Sequence, residues 1–132
     1  MIGLDTNILI RLTIDDVPEQ SLIARRLVRN NVSFISKTVL LETEWVLRSA
    51  YKIDRIAISE FFSMLLESEN TVIEDHEIVE RALHWHVEGA DFADALHLSS
   101  CGTSVFHTFD KSFCKTIRNK KLAPSIKVHQ SA

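Results

Sequence analysis

Hydrophobic and polar positions along the chain alternate between two patterns, one typical of short buried strands and one typical of amphipathic helices. Apolar runs of about four to six residues predict strands at 1–4, 32–36, 71–74, 104–109 and 126–129. Between these runs, apolar residues recur every three to four positions, which predicts helices at 7–12, 18–30, 38–51, 55–67, 76–88, 91–100 and 110–117. Pro18 suits the first turn of a helix, and Gly89 suits the end of one.

The alternation of strands and helices predicts an α/β fold with a central, mostly parallel sheet flanked by helices. A length of 132 residues suits one domain, 1–132. No apolar run approaches the roughly 20 residues that cross a bilayer, and no signal peptide is recognisable. Two cysteines are too few for a disulfide framework or a cysteine-rich zinc site. We therefore expect reduced thiols in a cytoplasmic protein that does not enter the membrane.

Two of the predicted strands lead directly into an aspartate. Asp5 follows the first strand, and Asp110 follows the strand at 104–109. In parallel α/β sheets, ligands bind outside the carboxyl ends of the strands, so both carboxylates are candidate site residues. Each side chain can instead cap the helix that follows, which stabilises a helix by about 1 kcal/mol. The sequence leaves both roles open.

Two glutamates on the predicted helix 38–51 differ in their surroundings. Glu44 has Arg48 at i+4, which indicates an ordinary surface ion pair. Glu42 has no cation within a helical turn and is predicted to lie at the edge of the apolar face. A carboxylate beside apolar surface without a cationic partner costs stability. This favours a functional or cation-binding role for Glu42.

A further acidic pair lies on the predicted helix 91–100. Asp91 and Asp94 are three positions apart and share a helix face, where like charges repel. Asp91 can cap the helix, but Asp94 has no such structural explanation. Together with Asp5, Glu42 and Asp110, Asp94 belongs to a set of carboxylates without paired cations. A hard divalent cation, Mg²⁺ or Mn²⁺, is the simplest explanation for such a set.

The histidines do not indicate a competing site. His84 and His86 are two positions apart and lie on different faces of a helix, and His97 and His107 are predicted to be partly buried structural residues. No Gly-x-Ser-x-Gly motif is present, so catalysis by a side-chain nucleophile has little support.

Charge is unevenly distributed along the chain. Residues 1–110 contain all 18 acidic and nine of the 15 basic residues, a net charge of −9, whereas residues 111–132 carry +6. A basic segment beside an acidic site attracts phosphate groups. A solvated basic tail is an equally good explanation of the same pattern.

Four short motifs occur in order along the chain: IGLDTN at 2–7, LLE at 40–42, DFADALH at 91–97 and TFD at 108–110. In order, spacing and chain length, this combination resembles the PIN-domain ribonucleases. It resembles more closely the VapC-type toxins of bacterial and archaeal toxin–antitoxin pairs. The resemblance covers essentially the whole chain.

The resemblance implies a metal-dependent endoribonuclease, in which water activated by Mg²⁺ or Mn²⁺ attacks the phosphorus in line. The family's catalytic, metal-binding acids fall on Asp5, Glu42, Asp94 and Asp110, with an accessory acid at Asp91. Its supporting polar residues fall on Thr6, Asn7 and Thr108. Many members carry a further acid where this chain has Ser112, so the number of metal ions stays open. Contacts to the RNA backbone are expected from Lys111, Lys115 and Arg118.

The resemblance also implies two protein partners, a small antitoxin and a second copy of the chain. Bulky apolar residues crowd the two helices at 38–51 and 55–67, and some of them are expected to form an exposed contact surface unless all pack into the core. The residues concerned are Trp45, Tyr51, Phe61, Phe62, Met64, Leu65 and Leu66.

Two other functions are compatible with parts of the sequence. An Asp-nucleophile phosphatase would need a second aspartate close behind Asp5, where this chain has Asn7. A catalytically silent PIN-fold module that binds RNA or protein predicts a broken acid set, whereas the set in this chain is complete.

Overall fold

The computed structural model of the chain describes residues 1–113 and 124–130. These residues form six helices and five strands with parallel strand pairing, which confirms the α/β class. They belong to two compact units, Met1–His76 and Glu77–Ala132. Most of the predicted helix at 110–117 lies outside the described residues. Within the described part of the chain, no helix is long and apolar enough to cross a membrane.

The first unit contains a three-stranded parallel sheet. Its strands are β1 (Ile2–Gly3), β2 (Ser33–Ile35) and β3 (Thr71–Ile73), and they pair in chain order. Ile35 lies opposite Ile73, and both side chains are buried. Because the strands are parallel, their carboxyl ends share one edge of the sheet, and Asp5 follows β1 at that edge.

Four helices complete the first unit, and local capping explains where they begin. They are α1 (Thr6–Thr13), α2 (Pro18–Asn30), α3 (Lys37–Ser49) and α4 (Arg55–Glu67). The Ser36 hydroxyl accepts a hydrogen bond from the Val39 amide at 3.2 Å. The Asp54 carboxylate accepts one from the Ala57 amide at 2.8 Å. Pro18 occupies the first turn of α2, as predicted.

The second unit contains two helices and a pair of parallel strands. These are α5 (His76–Val87), which begins at the last residue of the first unit, α6 (Phe92–Ser99), β4 (Val105–Thr108) and β5 (Ser125–Val128). Gly89 follows α5 with a φ of 118°, a left-handed conformation that glycine adopts without strain. The guanidinium group of Arg81 joins α5 to α6, because it donates to the Ser99 hydroxyl at 3.0 Å and carbonyl at 2.9 Å.

The burial of one residue on α3 differs from the interpretation of the sequence. Its buried residues are Leu40, Thr43, Glu44 and Leu47. Glu44, interpreted from the sequence as half of a surface pair, is only 1% exposed, and that interpretation is wrong. The predicted partner is correct, because Arg48 Nε lies 2.8 Å from Glu44 Oε2. This ion pair allows a charged side chain to occupy a core position.

Replacing Arg48 by Met is expected to lower the free energy of unfolding by about 3 kcal/mol, because it removes a cationic partner from a buried carboxylate. Urea unfolding at pH 7 measures the effect. The double variant Glu44→Gln/Arg48→Met should regain much of the loss, since a neutral amide leaves no uncompensated charge. A double variant no more stable than the single one would contradict this explanation.

The apolar residues of α3 and α4 divide between the core and the surface. Phe61, Phe62 and Leu65 are buried, so they belong to the core. Trp45 on α3 and Met64 on α4 remain 58% and 56% exposed. Only some of the seven apolar residues considered for the contact surface are therefore exposed.

The prediction for the histidines is wrong. His97 and His107 are exposed, and the buried histidine is His86. The His86 ring packs edge-on against Phe92, with ring centroids 5.6 Å apart, and its Nδ1 lies 3.2 Å from the Ala90 carbonyl oxygen. A local hydrogen bond and an aromatic contact thus explain the burial of a residue that the sequence pattern did not single out.

Candidate active site

The predicted acids form two groups, one in each unit. Asp5 and Glu42 belong to the first unit, and Asp91, Asp94 and Asp110 belong to the second. Among the described residues, none of these five carboxylates forms an ion pair. For Asp5, Glu42, Asp94 and Asp110, this agrees with the predicted lack of paired cations within that part of the chain.

In the first group, a buried threonine connects Asp5 with Glu42. Asp5 caps α1, because its Oδ1 accepts a hydrogen bond from the Thr6 amide at 2.8 Å. The Thr6 side chain is buried, and its hydroxyl donates a short hydrogen bond to Glu42 Oε1. Glu42 is exposed and has a hydroxyl partner, so the prediction of an unpartnered carboxylate on apolar surface is corrected. Asp5 and Glu42 are thus positioned by the same residue.

The substitution Thr6→Val is expected to lower activity, because it removes the hydroxyl that positions Glu42 while keeping the β-branched shape. Loss of a residue that orients a metal-binding side chain typically costs about 10- to 100-fold in metal affinity or activity. The initial rate of RNA cleavage, measured against Mn²⁺ concentration, reports the loss. Thr6→Ser keeps the hydroxyl and should restore most of the rate. Equal rates for the valine and serine variants would remove this role from Thr6.

In the second group, the surroundings of Asp94 disfavour its charged form. It lies in the first turn of α6, where its amide donates to the Asp91 carboxylate at 3.1 Å. Partial burial and the neighbouring charges of Asp91 and Asp110 raise the pKa of the Asp94 carboxyl, and His97 opposes them. Asp91 is therefore the cap of the helix, as predicted, and also a source of repulsion at Asp94.

Asp110 has the opposite environment. Its Oδ1 accepts hydrogen bonds from the Ser112 hydroxyl at 2.6 Å and from the Ser112 amide at 2.9 Å, and these bonds lower the pKa of the Asp110 carboxyl. The Asp110 amide in turn donates to the Thr108 hydroxyl at 3.0 Å. Ser112, the position at which the chain departs from the family pattern, thus orients the preceding acid. An aspartate that accepts a hydrogen bond from the amide two residues later forms an Asx turn, and the spacing Asp-x-Ser is the sequence evidence for this contact.

The remaining predicted residues have simpler surroundings. Asn7 lies on α1 and Lys111 follows Asp110, and both side chains are exposed. Lys115 and Arg118, predicted to contact RNA, lie outside the described residues.

The donor chemistry of both groups suits a hard divalent cation. Carboxylate oxygens supported by hydroxyl groups are ligands that Mg²⁺ and Mn²⁺ prefer. The pKa of Asp94 is raised by partial burial and then by the negative charges of Asp91 and Asp110, and a bound cation would offset these effects. As they stand, no three histidine, cysteine, aspartate or glutamate side chains of the described residues are grouped closely enough to hold one ion. Convergence of Asp5, Glu42 and Asp94 on a single ion stays a prediction.

The described part of the chain combines a parallel α/β architecture with five carboxylates that form no ion pair there, which defines an acidic α/β protein. The sequence profile of the PIN domain matches residues 2–119, which is most of the chain, and the protein therefore belongs to the PIN-domain family. Comparisons with curated proteins and with solved structures gave no significant match. PIN domains are typically nucleases that use Mg²⁺ or Mn²⁺, so the fold is that of a nuclease family.

Proposed function

We propose that this protein is an endoribonuclease that hydrolyses RNA phosphodiester bonds with Mg²⁺ or Mn²⁺. The observation that carries the proposal is the PIN-domain match over residues 2–119, a region in which Asp5, Glu42, Asp94 and Asp110 form no ion pair among the described residues. Partial burial and the neighbouring acids raise the pKa of Asp94, and carboxylates in such surroundings cluster at functional sites. When bound, the ion makes water more acidic and stabilises the negative charge that develops on the phosphate.

The chain's own residues bind and orient the reacting groups. We assign the catalytic and metal-binding role to Asp5, Glu42, Asp94 and Asp110, with Asp91 as an accessory acid. Glu42 or Asp94 also orients the attacking water. The Thr6 hydroxyl and the Ser112 hydroxyl restrict the rotation of Glu42 and Asp110, so less entropy is lost when these acids engage the ion.

The test is a cleavage assay on RNA with Mg²⁺, Mn²⁺ or EDTA, performed on the wild-type protein and on Asp5→Asn. Asparagine can still accept the Thr6 amide hydrogen bond, so the cap and the fold are retained while the charge is lost. We expect internal cuts that need the metal and that decline by more than about 100-fold in the variant. The variant, purified in parallel, also controls for contaminating ribonucleases. Cleavage in EDTA, or a wild-type rate for Asp5→Asn, would overturn the proposal.

The catalytically silent alternative makes a different prediction for the same assay. It predicts that the protein binds RNA but does not cut it at any metal concentration. The complete set of acids disfavours this alternative, because a pure binding module gains nothing from repelling carboxylates at Asp94.

We further propose that the protein is the toxin of a type II toxin–antitoxin pair in the cytoplasm and that a small antitoxin protein binds it. The order of the four acidic motifs supports this role, as do the exposed apolar side chains of Trp45, Ile56 and Met64 on α3 and α4. Induced expression in a bacterium should arrest growth, and the Asp5→Asn variant should not. If both proteins arrest growth, toxicity does not depend on RNA cleavage, and the proposed toxin role is contradicted.

We also propose that the antitoxin-free chain forms a homodimer, the commonest oligomer of soluble proteins. Light scattering at micromolar concentration should give twice the mass of the 15.1 kDa chain. A mass near that of one chain would contradict the dimer.

A further inference from the structure

Three arginines lie together on the outer surface of α2. Arg25, Arg26 and Arg29 are all exposed. Their spacing of i, i+1 and i+4 places them within about 100° of the helix circumference. Leu22 lies within the same arc and is 44% exposed. We call these four residues the arginine face.

The arginines of this face form no ion pair within the described residues that would stabilise the first unit. The ion pairs of the described residues involve the cations of Arg11, Lys37 and Arg48, not those of α2. Arg29 lies four positions after Arg25 and three after Arg26, and like charges at these spacings repel one another by a few tenths of a kcal/mol. The acid of the same helix, Glu19, lies about two turns before Arg26. Three arginines that only repel one another therefore point to a ligand outside the unit.

We propose that the arginine face binds the phosphate backbone of RNA; this rests on the proposed function, in which RNA is the substrate. Each guanidinium group is a planar fork that donates two parallel hydrogen bonds to a phosphate, a geometry that lysine lacks. Contacts of this kind set affinity without reading sequence, so they position many RNA substrates.

The negative net charge of residues 1–110 gives no indication of this positive surface. Residues 1–110 sum to −9, so a count of charges places the RNA contacts in the basic segment beyond residue 110. The exposed arginines of α2 form a local positive surface within the acidic first unit. The spacing R-R-x-x-R at 25–29 on an amphipathic helix was the evidence available in the sequence.

The test is the salt dependence of RNA binding. A fluorescent single-stranded RNA is titrated by anisotropy in EDTA, which prevents metal-dependent cleavage, at NaCl concentrations between about 50 and 200 mM. The slope of log affinity against log salt is negative, and each of Arg25→Gln, Arg26→Gln and Arg29→Gln should make it shallower by about 0.7. The triple variant should make it shallower by about 2. In the cleavage assay, the triple variant should raise KM and leave kcat unchanged.

The matched control is Lys52→Gln, which removes one exposed positive charge from the same unit. Its slope should equal that of the wild type. An unchanged slope in the triple variant would overturn the proposal and would leave an acidic protein as the ligand of this face. An equal decrease in the Lys52 variant would overturn it too, because the effect would then follow net charge alone. Absence of cleavage with arginine-dependent binding would reject the nuclease function and retain the RNA-binding face.

Discussion

Replacing Asp94 by Asn is expected to abolish RNA cleavage and, without metal, to make the protein more stable. Loss of an orienting residue costs about 10- to 100-fold, so loss of a metal ligand should cost more than about 100-fold. The gain in stability follows first from the partial burial of the charged carboxylate and then from its repulsion by Asp91 and Asp110, both of which a neutral amide relieves. A like-charge pair on one helix face contributes about 0.5 kcal/mol. Cleavage rates in Mn²⁺ and urea unfolding in EDTA measure the two effects.

The stability that Asp94→Asn gains over the wild type should decrease as the pH falls. Because the folded-state pKa of Asp94 is raised above its ordinary value of 3.8, the folded protein binds a proton more readily than the unfolded chain between these two values. Ionised Asp94 therefore costs stability above its folded-state pKa. As the pH falls from 7 through that pKa towards about 4, the wild type should become as stable as the variant.

The matched control for Asp94→Asn is Glu80→Gln, which removes an exposed negative charge from the same unit. It should leave both cleavage and stability unchanged. An Asp94→Asn protein that is less stable than the wild type in EDTA at pH 7 would show that the carboxylate is not strained. Retention of wild-type cleavage would remove Asp94 from the catalytic set.

Millimolar Mn²⁺ is expected to raise the melting temperature of the wild-type protein by roughly 10 °C. A ligand that binds only the folded state, at about 100 times its Kd, stabilises that state by about 2.7 kcal/mol. For a chain of this size, 1 kcal/mol corresponds to roughly 4 °C. Asp94→Asn should show little of this rise, so the order of stability should reverse between EDTA and Mn²⁺. Thermal melts of both proteins under both conditions measure the reversal.

The control for the melting experiment is NaCl at matched ionic strength, which screens the acids without binding them specifically. It should reproduce only a small part of the shift. Identical melting curves with and without millimolar Mn²⁺ would contradict a metal site in this protein.

Local structure was predicted well because short-range physics determines it. The helix predicted at 55–67 has the same bounds in the structure, since the Asp54 cap and the 3.6-residue rhythm that define it lie within one segment. The capping role considered for Asp5 and Asp91 is confirmed for the same reason, because a cap involves only residues close in the chain.

Tertiary structure alone decided which side of α3 is buried. Glu42 and Glu44 are two positions apart, and apolar residues flank both of them, so periodicity does not determine the centre of the buried face. The packing of α3 within the first unit buries Glu44, and Arg48 compensates its charge. The same packing leaves Glu42 exposed, where the Thr6 hydroxyl reaches its carboxylate.

The sequence by itself determined the order of the elements, their caps and the identity of the candidate acids, because each depends on neighbouring residues or on a fixed pattern of motifs. The tertiary structure decided how those acids are held. Thr6 and Glu42 are separated by 36 positions, and their contact exists only once α1 and α3 have packed. The raised pKa of Asp94 likewise depends on folding, which partly buries the carboxyl and brings Asp110 near α6, because burial and Coulomb interactions depend on position in space rather than along the chain.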